Sequence, residues 1–116
     1  MSKNWPEVHI YDPAREEILD WPIAVKKELG SILTKIQKGK PVGYPDTERM
    51  ASVGPGVFEI RMKDAIGIYR AFYITKTDYG ILVFHSFQKK SQKTPVKEIE
   101  TGRIRLKTFL EELKNG

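Results

Sequence analysis

The sequence predicts a small α+β domain in which helices cover one face of an antiparallel sheet, in the element order β-α-α-β-β-β-α. Two amphipathic segments precede a strand-rich middle, and a third follows it. The strand-rich segments are joined by links of a few residues, which is typical of an antiparallel meander. With 116 residues, 40% of them hydrophobic, the chain is most simply one domain spanning residues 1–116.

The N-terminal part supplies one strand and two helices. Residues 7–11 alternate polar and apolar side chains, which predicts a strand. Asp12 and Pro13 suit the start of a helix that runs to about Trp21. A second helix, ending near Gly39, has a one-sided apolar stripe. The stripe consists of Val25, Leu29, Ile32, Leu33 and Ile36.

The middle of the chain begins with a segment rich in proline and glycine, residues 40–56, which predicts a connecting loop. Residues 57–62 alternate apolar and charged side chains, as a half-buried strand does. Residues 66–75 and 81–87 are rich in β-branched and aromatic side chains and predict two more strands.

The last helix is predicted to start at Thr94 and Pro95. Its apolar positions are Val96, Ile99, Leu106, Phe109, Leu110 and Leu113. Gly102 speaks against an unbroken helix, since glycine costs ~1 kcal/mol relative to alanine in a helix interior. If the helices cover one face of the sheet, the other face stays partly open as a docking surface for a nucleic acid or a large partner.

The composition excludes several kinds of site. The chain has no Cys, so a disulfide framework, a thiolate nucleophile and a cysteine zinc site are excluded. With His9 and His85 as its two histidines, a multi-histidine metal site is not expected, and His9 is interpreted as structural. No apolar run approaches the ~20 residues of a membrane span, and no signal peptide is visible. We therefore expect a cytoplasmic protein that needs no metal, cofactor or membrane.

Positive charge is concentrated near the end of the chain. The net charge is +5, and residues 85–107 contain seven basic and two acidic side chains. Such a run can be a solvated helix face, or it can be the electrostatic footprint of a nucleic acid. Lys89, Lys90 and Lys93 follow directly on an apolar strand, where a rigid frame can aim them, and this position favours the second interpretation.

Two arginines lie in predicted strands. Arg61 ends a strand whose other face is apolar, and Arg70 lies inside a strongly apolar strand. A buried arginine needs a partner, and an ion pair with Glu59 or Asp64 is one explanation. The alternative is that both guanidinium groups bind a phosphate through paired hydrogen bonds.

Cleavage of RNA without a metal requires a base for the ribose 2′-OH, a stabiliser of the phosphorane charge and an acid for the leaving oxygen. His85, kept neutral by neighbouring lysines, could be the base, although the same residues could equally just bind RNA. The predicted catalytic set is Arg61, Arg70, His85, Lys89 and Lys90. The predicted RNA-binding set is Lys93, Lys97, Tyr73 and Phe87. For the aromatic members, base stacking and core packing are both open.

Residues 57–61, 69–73, 85–95 and 98–99 together resemble the phage-related HigB-like toxins of the RelE/ParE toxin superfamily. The resemblance covers roughly residues 54–107 and is most specific where the last strand leads into its Lys-Thr-Pro ending. It implies the same β-α-α-β-β-β-α fold, cleavage of messenger RNA in the ribosomal A site, and a cognate HigA-like antitoxin with a helix-turn-helix domain.

The resemblance also assigns residues. The family's basic positions carry over onto Arg61, Arg70 and the lysines at 89, 90 and 93. RelE-type nucleases commonly use a tyrosine near the end of the last strand, where this chain has Phe87, so the acid–base role is expected to fall to His85 and the lysines. Two alternatives stay open: a ParE-type inhibitor of gyrase, which cuts nothing, and an inactive prophage remnant that still binds its antitoxin.

Overall fold

A computed structural model of the chain describes residues 4–89 and 93–116. Its elements, in chain order, are β1 Val8–Ile10, α1 Asp12–Leu19, α2 Ile23–Gln37, β2 Thr47–Arg49, β3 Val57–Lys63, β4 Ile68–Ile74, β5 Ile81–Lys89 and α3 Val96–Asn115. The α+β class and the predicted order of elements are confirmed, with β2 as an additional short strand.

The strands form a sheet with the order β1-β5-β4-β3-β2. Strands β3, β4 and β5 are the predicted antiparallel meander. Strand β1 pairs with β5 in parallel, so the expectation of an entirely antiparallel sheet is wrong at this edge. Helices α1 and α2 and strands β2, β3 and β4 lie between these two strands in the sequence, and such a long connection permits a parallel pairing that a short turn does not.

Strand β2 lies inside residues 40–56, which the sequence predicted to be a loop. It pairs antiparallel with β3, where Glu48 faces Glu59 across the two strands. The loop prediction is wrong for these three residues, Thr-Glu-Arg, because they form a polar edge strand without the apolar alternation that marks a half-buried strand.

Helices cover both faces of the sheet, so the prediction that they cover one face is wrong. Helix α2 packs against Ile60, Met62, Tyr69, Ala71 and Tyr73 on the first face. Residues of α3, among them Phe109, pack with Val57, Phe72, Leu82 and Phe84 on the second. The reason lies in β4, which has large apolar side chains on both of its faces, and both must be removed from water.

Helix α3 passes through Gly102 without a break. A Cβ atom at Gly102 would lie 2.8 Å from Cδ2 of Phe72, which is closer than packed carbon atoms approach. The glycine therefore lets α3 lie close to β4, and the tighter packing offsets its poor helix propensity. Glycine at this position indicates close packing rather than the end of a helix.

Candidate functional site

The register of the central strands places most of the predicted site residues on the sheet face covered by α3. Arg61 on β3 is the cross-strand partner of Arg70 on β4, and Arg70 is the partner of Phe87 on β5. Since side chains two residues apart share a face, His85 and Lys89 lie on the same face as Phe87. The sequence-predicted residues 61, 70, 85, 87 and 89 thus share one face, with Arg61 and Arg70 at one surface cavity and His85 and Phe87 at another.

Glu59 lies at the centre of the cations on this face, and we call Glu59, Arg61, Arg70, Lys89 and Thr94 the Glu59 cluster. Glu59 is 2% exposed and Arg70 is 3% exposed. The Nε atom of Arg70 lies 3.3 Å from Oε1 of Glu59, and the Nε atom of Arg61 lies 3.9 Å from the same oxygen. The ion pair that the sequence left open for Arg70 is therefore present, with Glu59 rather than Asp64 as its partner.

Thr94 ties the start of α3 into the Glu59 cluster. Its hydroxyl donates a hydrogen bond to Oε2 of Glu59 at 3.2 Å and accepts one from Nζ of Lys89 at 3.2 Å. Burial raises the pKa of Glu59, while Arg70, Lys89, Thr94 and Arg61 oppose the rise. Burial also lowers the pKa of Lys89, and the positive charge of Arg70 adds to this effect. Such a lysine is a better proton donor than an exposed one.

Arg61 is the more accessible arginine of the cluster. Its side chain is 20% exposed, and its Nη1 atom donates a hydrogen bond to the half-exposed Glu48 at 3.0 Å. A surface pair of this kind contributes little to stability and gives way readily to another anion. Arg61 and Arg70 both line a surface cavity of about 460 Å³ at the edge of the sheet.

His85 is held on both sides by α3. Nη1 of Arg105 lies 2.9 Å from Nδ1, and Oε1 of Glu98 lies 2.9 Å from Nε2. Because a guanidinium group only donates, Nδ1 accepts and Nε2 carries the proton that goes to Glu98. Burial lowers the pKa of His85, hydrogen bonding to Glu98 opposes this, and the charge of Arg105 adds to it. His85 is therefore neutral, and a base role requires that Arg105 first release Nδ1.

The two predicted stacking residues are both buried. Tyr73 lies in the core beneath α2, on the opposite face from the Glu59 cluster, and stacks on Phe58. Phe87 lies in the core beneath α3 and packs against Phe72 and His85. The core-packing alternative therefore describes where these rings lie, since Tyr73 is 3% exposed and Phe87 is 5% exposed.

Two of the predicted lysines lie near the start of α3, Lys93 just before it and Lys97 in its first turn. Lys93 and Lys97 are exposed. Lys97 lines a second surface cavity, of about 700 Å³, together with His85, Phe87 and Arg105. Lys90 lies outside the described residues. The positions of Lys93 and Lys97 are compatible with contacts to a phosphate backbone that also reaches the end of β5.

Sequence reasoning left out the residues through which α3 holds this face, namely Thr94, Glu98 and Arg105. Glu98 and Arg105 lie on α3 and Thr94 lies just before it, and none of the three belongs to the apolar stripe from which that helix was predicted. What could have indicated them is the buried histidine itself, since a buried imidazole needs a partner for each ring nitrogen. His9, interpreted as structural, pairs with Glu7 at 3.0 Å on the far edge strand β1.

Two further properties of the described ranges, 4–89 and 93–116, bear on what the chain can bind. No helix there is long and apolar enough to cross a bilayer. Within the same ranges, no group of three or more His, Asp or Glu side chains is arranged to hold a metal ion.

Comparison with known proteins gives a fold and a family. A solved structure of an Escherichia coli toxin RelE double-arginine mutant in the free state superposes with a TM-score of 0.60 at 15% sequence identity, covering 87% of this chain and 96% of that one. At this identity the similarity establishes a RelE-like fold. The search of curated proteins found no match. A family model described as phage derived protein Gp49-like matches residues 16–107, and the chain belongs to this family.

Proposed function

We propose that this Gp49-like chain is the toxin of a toxin–antitoxin pair and stops translation by cleaving messenger RNA on the ribosome. The observation that carries the proposal is the Glu59 cluster, in which Arg61, Arg70 and Lys89 converge on one carboxylate at one face of the sheet. The cluster carries an excess of positive charge, which suits a phosphate. The RelE-like fold supports the proposal, since a solved structure that shares it is that of a toxin.

The proposed reaction begins with attack of a ribose 2′-OH on the adjacent phosphate and ends with departure of the 5′-oxygen. Arg61, the accessible arginine, binds the scissile phosphate and stabilises the charge of the phosphorane. Arg70, which is buried against Glu59, adds to the positive electrostatic potential of the site. Lys89, with its lowered pKa, protonates the leaving oxygen, and Lys90 stays in the proposed catalytic set.

His85 is the proposed base, on the condition that Arg105 leaves Nδ1 when RNA binds. A phosphate competes for the guanidinium of Arg105, so RNA itself could free the lone pair that the 2′-OH needs. Phe87 stands where RelE-type nucleases commonly have a tyrosine, and it has no hydroxyl to transfer a proton. This absence is the chemical reason for assigning proton transfer to His85 and to the lysines.

The remaining residues of the proposal take no part in the reaction. Lys93 and Lys97 contact the phosphate backbone beyond the cleavage site. Tyr73 and Phe87, both buried, support the sheet rather than stack on bases. The proposed partners are the ribosome, messenger RNA and a HigA-like antitoxin with a helix-turn-helix domain, all in the cytoplasm.

Pulse labelling of growing cells tests this proposal against its closest rival. When the chain is expressed alone, incorporation of labelled amino acids should stop before incorporation of labelled thymidine, and an antitoxin from the neighbouring gene should restore growth. If DNA synthesis stops first while protein synthesis continues, the chain is a ParE-type inhibitor of gyrase. If neither stops, it is an inactive remnant, and the proposal fails.

A further inference from the structure

The surface cavity at the β2–β3 edge contains an aromatic ring that the proposed reaction does not use. Tyr44 lines the cavity and is 78% exposed, although large aromatic side chains are usually at least half buried. The guanidinium of Arg61 lies over this ring, 5.6 Å from its centroid. An exposed ring beside a cation that faces a cavity is the arrangement by which proteins bind a base together with its phosphate.

The turn that carries Tyr44 is fixed to the sheet. The backbone N–H groups of Asp46 and Thr47 both donate to the carbonyl of Gly43, and the N–H of Arg61 donates to the carbonyl of Asp46 at 2.8 Å. These bonds set the position of the tyrosine relative to the arginine before any ligand arrives. A preformed site loses less conformational entropy on binding than a mobile one.

The lining of the cavity has two chemically distinct parts. Arg61 and Lys63 supply accessible positive charge, with the buried Arg70 behind them. Glu28 on α2 and Asp46 on the turn supply carboxylates. Burial and the charge of Asp46 both raise the pKa of Glu28. A phosphate suits the first part and is repelled by the second, whereas a donor such as an amino group suits the second.

We propose that this cavity binds one nucleotide of the RNA, with the base stacked on Tyr44, the phosphate on Arg61 and Lys63, and an exocyclic amino group of the base on Glu28 or Asp46. The volume of about 460 Å³ lies within the range of roughly 300–1,000 Å³ usual for small-molecule sites. Carboxylates accept hydrogen bonds from the amino group of cytosine, which uracil lacks. The inference deepens the proposed function by assigning a nucleotide subsite, and it also predicts a preference against uracil there.

Binding of mononucleotides tests the proposal without any need for cleavage. Nuclear magnetic resonance titrations of the full chain would compare cytidine 5′-monophosphate, uridine 5′-monophosphate and ribose 5-phosphate. We expect cytidine monophosphate to bind more tightly than the other two. Tyr44→Ala should weaken its binding by about fivefold or more, as the loss of a base stack does, while Tyr44→Phe, which keeps the ring, should not.

Matched variants separate the parts of the site. Trp5 is also a partly exposed aromatic ring with a cation, Lys38, 5.0 Å from its centroid, but it does not line this cavity, so Trp5→Ala should bind as the wild type does. Asp46→Asn and Glu28→Gln should reduce the difference between cytidine and uridine monophosphates.

Three results would overturn the inference. If ribose 5-phosphate binds as tightly as the nucleotides, or if Tyr44→Ala binds them unchanged, no base is held by Tyr44. If the wild type binds cytidine and uridine monophosphates equally, the carboxylates do not read the base. All three concern binding, so a chain that binds nucleotides here but cleaves nothing would refute the proposed ribonuclease activity and leave the proposed nucleotide site standing.

Discussion

Arg61 and Arg70 lie directly opposite each other on β3 and β4, and both approach the same carboxylate oxygen of Glu59. Like charges in cross-strand positions destabilise a sheet unless an anion lies between them. Glu59 supplies that anion, at 3.3 Å from Arg70 and 3.9 Å from Arg61. The two arginines consequently differ in role: Arg70 belongs to a buried pair, whereas Arg61 stays accessible.

This difference predicts unequal effects of two otherwise identical substitutions. Arg70→Ala leaves Glu59 buried without its nearest partner and should lower the free energy of unfolding by about 3 kcal/mol, near the low end for a broken buried pair because Arg61 and Lys89 remain. Arg61→Ala should cost less than about 1 kcal/mol, yet it should reduce toxicity. Urea unfolding and a growth assay measure the two effects, and equal, small losses of stability would contradict the structural role of Arg70.

A second prediction concerns the close approach of α3 to β4. Gly102→Ala should destabilise the protein by about 1–3 kcal/mol, because the added methyl group meets the ring of Phe72 and forces the helix outward. Gly30 on α2 is the matched control, since a Cβ there meets nothing within 4 Å. Gly30→Ala should stabilise by up to about 1 kcal/mol. Thermal unfolding measures the stability of both variants. A Gly102→Ala variant more stable than the wild type would show that α3 is not packed against β4 as described.

A third prediction follows from the lowered pKa of His85. Burial disfavours the charged imidazole in the folded state, so the unfolded chain binds the proton more readily. The contribution of neutral His85 to stability is therefore present above the ordinary value of 6.5 and is lost as the pH falls below it.

The variant His85→Gln keeps a neutral side chain and cannot titrate in this range. The advantage in unfolding free energy of the wild type over this variant should shrink by roughly 1 kcal/mol between about pH 7.5 and about pH 5.5. Urea unfolding at the two pH values measures it. An advantage that stays constant or grows at the lower pH would mean that His85 is charged in the folded protein.

A fourth prediction concerns Lys97, which is exposed at the start of α3. If it contacts a phosphate, Lys97→Ala should weaken binding of single-stranded RNA and flatten the slope of log affinity against log salt by about 0.7. Lys27→Ala is the control, since Lys27 is exposed on α2, which packs on the opposite face of the sheet. Fluorescence anisotropy at several salt concentrations gives both slopes, and indistinguishable slopes would remove Lys97 from the RNA-binding set.

The sequence was sufficient for the fold class, because each long element has a clear apolar period. Strand alternation alone relates His85 to Lys89 within β5, whereas the register of β3, β4 and β5, which the sequence did not predict, brings Arg61 and Arg70 to the same face. The sequence failed for β2, where three polar residues pair through their backbones and carry no side-chain pattern. The prediction that the helices cover one face could have been avoided, because the sequence of β4 has large apolar side chains on both faces.

The surroundings of His85 could not be predicted in the same way. Glu98 and Arg105 reach the imidazole from α3, and their meeting depends on how that helix crosses β4 and β5. No local period encodes such a crossing, which depends on the close approach at Gly102 and on the core around Phe109. Lysines next to His85 in sequence suggested one set of neighbours, and tertiary packing supplied another.

The most direct test of the central claim is single-turnover cleavage of a messenger RNA on programmed ribosomes, with ribosome affinity measured in parallel. Wild type should cut within the A-site codon and leave a downstream fragment with a 5′-hydroxyl end, as attack by the 2′-OH requires. His85→Gln should cut more slowly at nearly unchanged affinity, as expected of a residue that transfers a proton. If the messenger RNA stays intact when the ribosomes are saturated with wild-type protein, the proposal that this chain is a ribosome-dependent ribonuclease is contradicted.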